Sequence, residues 1–208
     1  MSTHIFLQGE AGQIEVFVDC PTQIKAIALV THPHPLMGGN PQHKVPQLMT
    51  EILLQQGCLI WRPSFRGMGQ SQGEHDQGIG ESRDIALLSL ALQQQYPDLP
   101  FVAGGFSFGA HVWAKSFHLL ESGKRPQKLL LAGLPCGEVR GAIDYQTPDI
   151  DSDILLVHGE QDDICQLQDV IKWAKPQRHP ITIMPGANHF FTGYLKSLSI
   201  VIERYFRF

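Results

Sequence analysis

The sequence predicts an α/β fold, a mostly parallel central sheet with helices on both faces, led by an antiparallel hairpin. Three observations carry this. Short uninterrupted apolar runs recur along the chain, as strands buried on both faces of a parallel sheet require. Segments with apolar residues at helical spacing separate them. The first two segments instead alternate apolar and polar residues, the pattern of half-exposed antiparallel strands.

In chain order, "HIFLQ" and "IEVFV" form the leading hairpin. The apolar runs "AIALVTH" (26–32), "CLIWR" (58–62), "PFVAGG" (100–105), "KLLLAG" (128–133), "DILLVHG" (153–159) and "PITIMPG" (180–186) are the strands. Between and after them, "VPQLMTEILLQQG", "SRDIALLSLALQQQYP", "FGAHVWAKSFHLLES", "QLQDVIKWAKP" and "GYLKSLSIVIERYFRF" carry helical spacing. Strand and helix alternate, so the helices cross over between parallel strands. No repeat, low-complexity tract or linker interrupts the series, and 208 residues are one ordinary domain's length, so a single domain over 1–208 is expected.

Composition narrows the function. Sixteen Lys and Arg against twenty Asp and Glu give a net charge of −4, without the basic excess that draws a chain to nucleic acid or anionic membranes. The N-terminus lacks a signal-peptide pattern and no 18-residue apolar span occurs, so a cytoplasmic protein with no membrane partner is expected. Cys20, Cys58, Cys136 and Cys165 are scattered, with no zinc-knuckle spacing, and reduced thiols are expected. Oligomeric state is left at monomer or homodimer.

Chemistry concentrates where loops follow strands, because ligands of open α/β sheets gather at the strands' carboxyl ends. Gly105-Phe106-Ser107-Phe108-Gly109 fits G-x-S-x-G, after an apolar strand and before a helical run. An immediate strand-to-helix turn strains its central residue and leaves room only for small neighbours. The alternative is a glycine-rich strand end that merely lets a helix pack closely.

A serine hydroxyl at neutral pH needs an imidazole to take its proton and a carboxylate to orient that imidazole. On such an elbow the acid and then the histidine follow the serine along the chain. Asp162 follows "DILLVHG" and His189 follows "PITIMPG", matching that order. Asp163, Glu160 and the more distant Glu138 are the other candidate acids. His111 and His118 fall within a helix and His158 ends a strand, so His189 is the candidate base.

The oxyanion needs two N–H donors, one from the residue after the nucleophile, Phe108, and one from the loop after an early strand, "THPHPLMGGN". Pro33 and Pro35 have no N–H, which leaves His34 or Leu36. Phe106, Phe108, Leu36, Met37 and Phe190 are candidate walls of an acyl pocket, although Phe106 could equally face the core.

These motifs, with "PSFRGMGQSQGEHDQGIGE" and Asp84, resemble the α/β-hydrolase superfamily across nearly the whole chain. They are most similar to small bacterial members, mostly predicted esterases, that begin with an HPHP loop. The resemblance implies a serine hydrolase with Ser107, Asp162 and His189 as triad, cleaving carboxylic esters of small soluble molecules without cofactor or metal. His32-Pro33 stands where many relatives carry His-Gly, which leaves the second oxyanion donor open. The interval from Leu134 to Asp153 is too short for a lid, so an open cleft is expected, with Tyr145 as one wall.

Rival readings are weaker. "HPH" could chelate a metal, but no third ligand follows at a recognised spacing. Gly67, Gly69 and Gly73 do not space as a phosphate-binding loop, and a structural loop with Arg66 bracing the backbone is expected instead. Thioesterase or dienelactone-type activity would use the same triad, and a non-catalytic binding protein on this scaffold is the reading from another class.

Overall fold

The computed structural model describes residues 3–139 and 143–207. Strands β1 (Thr3–Gly9) and β2 (Gly12–Asp19) form the expected antiparallel hairpin. Then follow β3 (Ala26–Thr31), α1 (Lys44–Gln55), β4 (Cys58–Pro63), α2 (Ile79–Gln95), β5 (Phe101–Phe106), α3 (Phe108–Leu119) and β6 (Lys128–Ala132). After a short pair, β7 (Gly137–Val139) and β8 (Ile143–Tyr145), the chain continues through β9 (Ile154–Gly159), α4 (Leu167–Gln177), β10 (Ile181–Met184) and α5 (Leu195–Tyr205).

The main sheet has eight strands in the order β1-β2-β4-β3-β5-β6-β9-β10. β1, β2 and β4 pair antiparallel, and every pairing from β4 through β10 is parallel. Side chains alternate faces along each strand. Ile27 and Leu29 of β3 therefore join a core with Leu88 and Leu92 of α2 and Trp113 and Phe117 of α3. Ala26, Ala28 and Val30 join the opposite core with Met49 and Leu53 of α1 and Leu198 and Ile202 of α5. Residues of β3, β4 and β5 are buried throughout, as their uninterrupted apolar runs predict.

Three local departures have physical reasons. β10 is an edge strand, so Ile183 is 43% exposed rather than buried on both faces. Glu15, in the polar phase of β2, is buried because it accepts Ser64 Oγ and the Gln70 N–H, each at 3.2 Å, and so pins the loop after β4. β7 and β8 pair antiparallel inside the expected irregular stretch 134–152, each too short to show a period. Within that stretch, Arg140, Gly141 and Ala142 lie outside the described residues, as does Phe208 at the end of the expected last helix.

α2 begins at Ile79, ahead of the Ser82 start expected from spacing. The Glu81 carboxylate accepts the Gly78 and Asp76 N–H groups, and Asp76 accepts the Gly80 N–H, so side chains satisfy N–H groups that a helix start leaves free. A Cβ on Gly80 would overlap an Arg66 Nη, so a side chain there would displace the guanidinium.

Arg66 itself corrects an expectation: its bonds go to carboxylates, not to backbone. Nε donates to Asp84 Oδ2 at 2.7 Å and an Nη to Glu10 Oε2 at 3.2 Å, while Asp84 Oδ1 takes the Glu10 N–H at 2.8 Å. Arg62, in β4, does donate to backbone, at Pro41 O. The buried Arg66–Asp84 pair ties the loop after β4 to the leading hairpin and α2. Removing Asp84 leaves buried Arg66 with only the partly exposed Glu10 carboxylate and takes the acceptor from the Glu10 N–H, so Asp84→Ala is expected to lower urea-unfolding stability by up to about 3–5 kcal/mol. A loss under about 1 kcal/mol would show that the pair does not hold the loop.

Candidate active site

The loops after β3, β5, β9 and β10 meet at one end of the sheet, where β3 lies between β4 and β5 and the chain's direction across the sheet reverses. Ser107 joins β5 directly to α3 with φ 55° and ψ −122°. A non-glycine residue held there stores on the order of 1–3 kcal/mol of strain. Its surroundings leave no space for larger neighbours. A Cβ on Gly105 would lie 2.6 Å from Gly109 O, and one on Gly109 would lie 2.6 Å from His32 O. The Ser107 N–H donates to Ala132 O at 2.8 Å, fixing the turn against β6.

The structure brings Ser107, His189 and Asp162 together. His189 Nε2 lies 2.9 Å from Ser107 Oγ, and His189 Nδ1 lies 2.7 Å from Asp162 Oδ2. A carboxylate beside Nδ1 places the imidazole proton on that atom and leaves Nε2 free to accept the serine proton. Asp162 Oδ1 takes the Ile164 N–H at 3.0 Å and the Cys165 N–H at 2.8 Å, which fixes the carboxylate plane. All three residues are buried. The other candidate acids lie elsewhere: Glu160 accepts the Gly186 N–H, and Asp163 and Glu138 are exposed.

Sequence reasoning missed two supporting residues. His158 Nε2 lies 2.7 Å from Cys165 O and 3.3 Å from Asp162 Oδ2, two acceptors, so it carries the ring proton and offers Asp162 one more donor. Burial pushes its pKa down. Gly133, at φ 58°, leaves room for the base: a Cβ there would sit 3.1 Å from His189 Cε1. Neither has a motif; only the strand-end position of both residues hints at the site.

The loop after β3 folds against the elbow. Thr31 Oγ1 donates to Gly109 O at 2.9 Å. His32 Nδ1–H donates to Pro33 O at 2.7 Å and His32 Nε2 accepts the Phe65 N–H at 3.1 Å. With both nitrogens occupied, His32 has no lone pair for a metal, which removes the chelating reading of "HPH". Burial drives its pKa down to about 3, so the ring is neutral. His34 O accepts the N–H groups of Met37 and Gly39, turning the loop back on itself. Among the described residues, no acceptor takes the N–H of Phe108, His34 or Leu36.

His34, Met37, His43 and Phe190 line a cavity of about 60 Å³ over Ser107 and His189. A larger cavity, about 510 Å³, adjoins it across His34 and is lined by Leu36, Phe108 and Tyr145 among others. Leu36 thus faces the larger cavity and not the one over Ser107. Phe106 is fully buried and belongs to the core, its ring centroid 5.1 Å from that of His189. Cys165 is buried beside the pair, with Sγ within 4.8 Å of ligand atoms of Asp162 and His189.

Among the described residues no helix is long and apolar enough to cross a membrane. No family model matches the chain. It is 32% identical to an uncharacterised protein of Rickettsia prowazekii (strain Madrid E), over 97% of this chain and 87% of that one. A crystal structure of an α/β serine hydrolase without lid from Xanthomonas campestris matches at TM-score 0.85 and 30% identity, covering 99% of this chain and 94% of that one. An α/β serine hydrolase homologue from Coxiella burnetii matches at TM-score 0.84 and 30% identity, over 97% of this chain and 96% of that one. With the eight-stranded, mostly parallel sheet described above, these similarities make the chain a member of the lidless α/β serine hydrolases.

Proposed function

We propose that the chain is a serine esterase that cleaves carboxylic esters of small soluble molecules through an acyl-enzyme. The observation that carries this reading is the continuous Asp162–His189–Ser107 hydrogen-bond relay ending on a strained elbow. Ser107 Oγ attacks the ester carbonyl as His189 Nε2 takes its proton, and Asp162 stabilises the resulting imidazolium. The Phe108 N–H, with that of His34 or Leu36, stabilises the developing oxyanion. Of the two, His34 borders the cavity over Ser107 and is the better candidate. His189 then gives its proton to the leaving alkoxide, and water repeats the two steps to release the acid.

Nucleophile, base and electrostatic stabilisation all come from this chain's own groups, so the reaction needs no cofactor. Exposed Leu36, Met37 and Phe190 give the cleft an apolar rim suited to small organic acyl and alcohol groups. A fluorophosphonate probe tests the reading: it is expected to label Ser107, located by peptide mass, with parallel loss of p-nitrophenyl acetate and butyrate turnover. A folded protein with no adduct and no turnover would favour a binding protein on a hydrolase scaffold.

A further inference from the structure

We infer that the larger cavity is the acyl subsite of this enzyme and that Lys115 makes it select acyl groups ending in an anion, such as half-esters of dicarboxylic acids. The inference rests on the serine-esterase reading. Phe108, His111 and Lys115 stand at positions i, i+3 and i+7 of α3, so they share one face of the helix that starts at the nucleophile. They floor the cavity of about 510 Å³, which lies within the size range of small-molecule sites.

The direction of binding follows from the base. A leaving alkoxide must lie near His189 Nε2 to receive its proton, and His189 lines the smaller cavity and not the larger one. The acyl group therefore extends the other way, past Phe108 and His34 into the larger one.

Lys115 brings an ammonium to that space. Lys115 is half-buried and has no carboxylate partner among the described residues. His111 beside it adds no charge. The Thr147 hydroxyl donates to Pro135 O at 2.6 Å, so it accepts the His111 Nδ1–H at 2.7 Å. Burial first and the Lys115 charge second push the His111 pKa down to about 3. Asp144 on the facing wall is exposed and takes the Gln146 amide. Beyond Lys115 the groove opens into a further space of about 340 Å³, bordered by Arg83 and His118 and by no carboxylate. Arg83 is already paired with Glu10, which leaves the Lys115 ammonium to meet a ligand. Eight residues of helix put its Cα about 12 Å from the elbow, and its stem leans back toward the helix start, within reach of a medium-length acyl chain.

The test compares kcat/KM for mono-p-nitrophenyl adipate and suberate with kcat/KM for p-nitrophenyl hexanoate and octanoate. The acid-ended ester of each length-matched pair is expected to be preferred roughly tenfold at low salt, as for a charge-assisted contact in a partly enclosed site. Added NaCl should shrink that ratio. Lys115→Met should reduce it about tenfold, and Lys115→Arg should retain most of it. Because the readout is a ratio, it does not depend on the fraction of active enzyme. If Lys115→Met fails to fold, the salt series on the unmodified protein decides. Turnover of the neutral esters with a ratio near one, insensitive to salt, overturns the inference alone. No turnover of any of the four esters overturns the esterase reading and this inference with it.

Discussion

Ser107→Ala is expected to reduce ester turnover by roughly 10⁴- to 10⁶-fold while leaving a folded protein. The size follows from what the variant removes: the hydroxyl that attacks the carbonyl and hands its proton to His189 Nε2 is gone, and among the described residues no other hydroxyl is hydrogen-bonded to Nε2. Binding and the oxyanion N–H groups remain, so a residual rate above the uncatalysed one should persist. Folding should survive because the turn is held by the Ser107 N–H bond to Ala132 O and by small neighbours, not by the hydroxyl. His189→Ala should fall to a similar level, and the double variant little further, since groups acting as one unit do not add. Asp163→Ala is the internal control and should stay within about twofold, its carboxylate being exposed and outside the relay. Steady-state kinetics on p-nitrophenyl butyrate checks all four. A loss below tenfold in Ser107→Ala would mean that turnover arises elsewhere.

The parts of this molecule legible in sequence are those in which one backbone requirement dictates a residue type. Uninterrupted apolar runs marked β3 to β6 because strands covered by helices on both faces bury mostly apolar side chains, and Gly105 and Gly109 marked the elbow because a Cβ at either would meet backbone. The order of Ser107, Asp162 and His189 could be read because each follows a strand at the same sheet end. What could not be read depends on which loops touch. Arg66 looked like a brace for backbone because its partners, Asp84 and Glu10, come from a helix and a hairpin distant in sequence. His158 looked like a packed strand residue, and its contact with Asp162 follows from the turn geometry after β9. Glu15 falls in the polar phase of an alternating strand, and the loop that buries it lies about fifty residues away. Alternation along a strand reports which face a residue is on, and says nothing of what later covers that face.

Acid should unfold this protein steeply, because burial depresses several of its histidines, His32 and His111 furthest and His34 to about 4. His32 and His111 have folded-state pKa values pushed down to about 3 by burial, against 6.5 in the unfolded chain. Their pKa values are depressed, so between pH 6.5 and about 3 the unfolded state binds the extra protons, and stability falls as the pH falls. Above pH 6.5 neither residue contributes a slope. Well below 6.5, each histidine costs about 1.4 kcal/mol per pH unit, or about 3 kcal/mol per unit for the two. Against a typical total of 5–15 kcal/mol, that slope removes most of the stability within a few units. Protonating His32 at Nε2 also forces out the Phe65 N–H, the bond that ties the loop after β3 to the loop after β4. Urea unfolding at pH 7.5, 6.5, 5.5 and 4.5 should show a plateau and then this decline. His32→Asn, which cannot acquire a charge, should lower the slope below pH 6 by about 1.4 kcal/mol per pH unit at some cost in stability at pH 7.5. A flat profile down to pH 4.5, or an unchanged slope in His32→Asn, would mean that these rings find water or a counter-charge on protonation, and that the loop after β3 is held by Thr31 and its own turn rather than by a neutral imidazole.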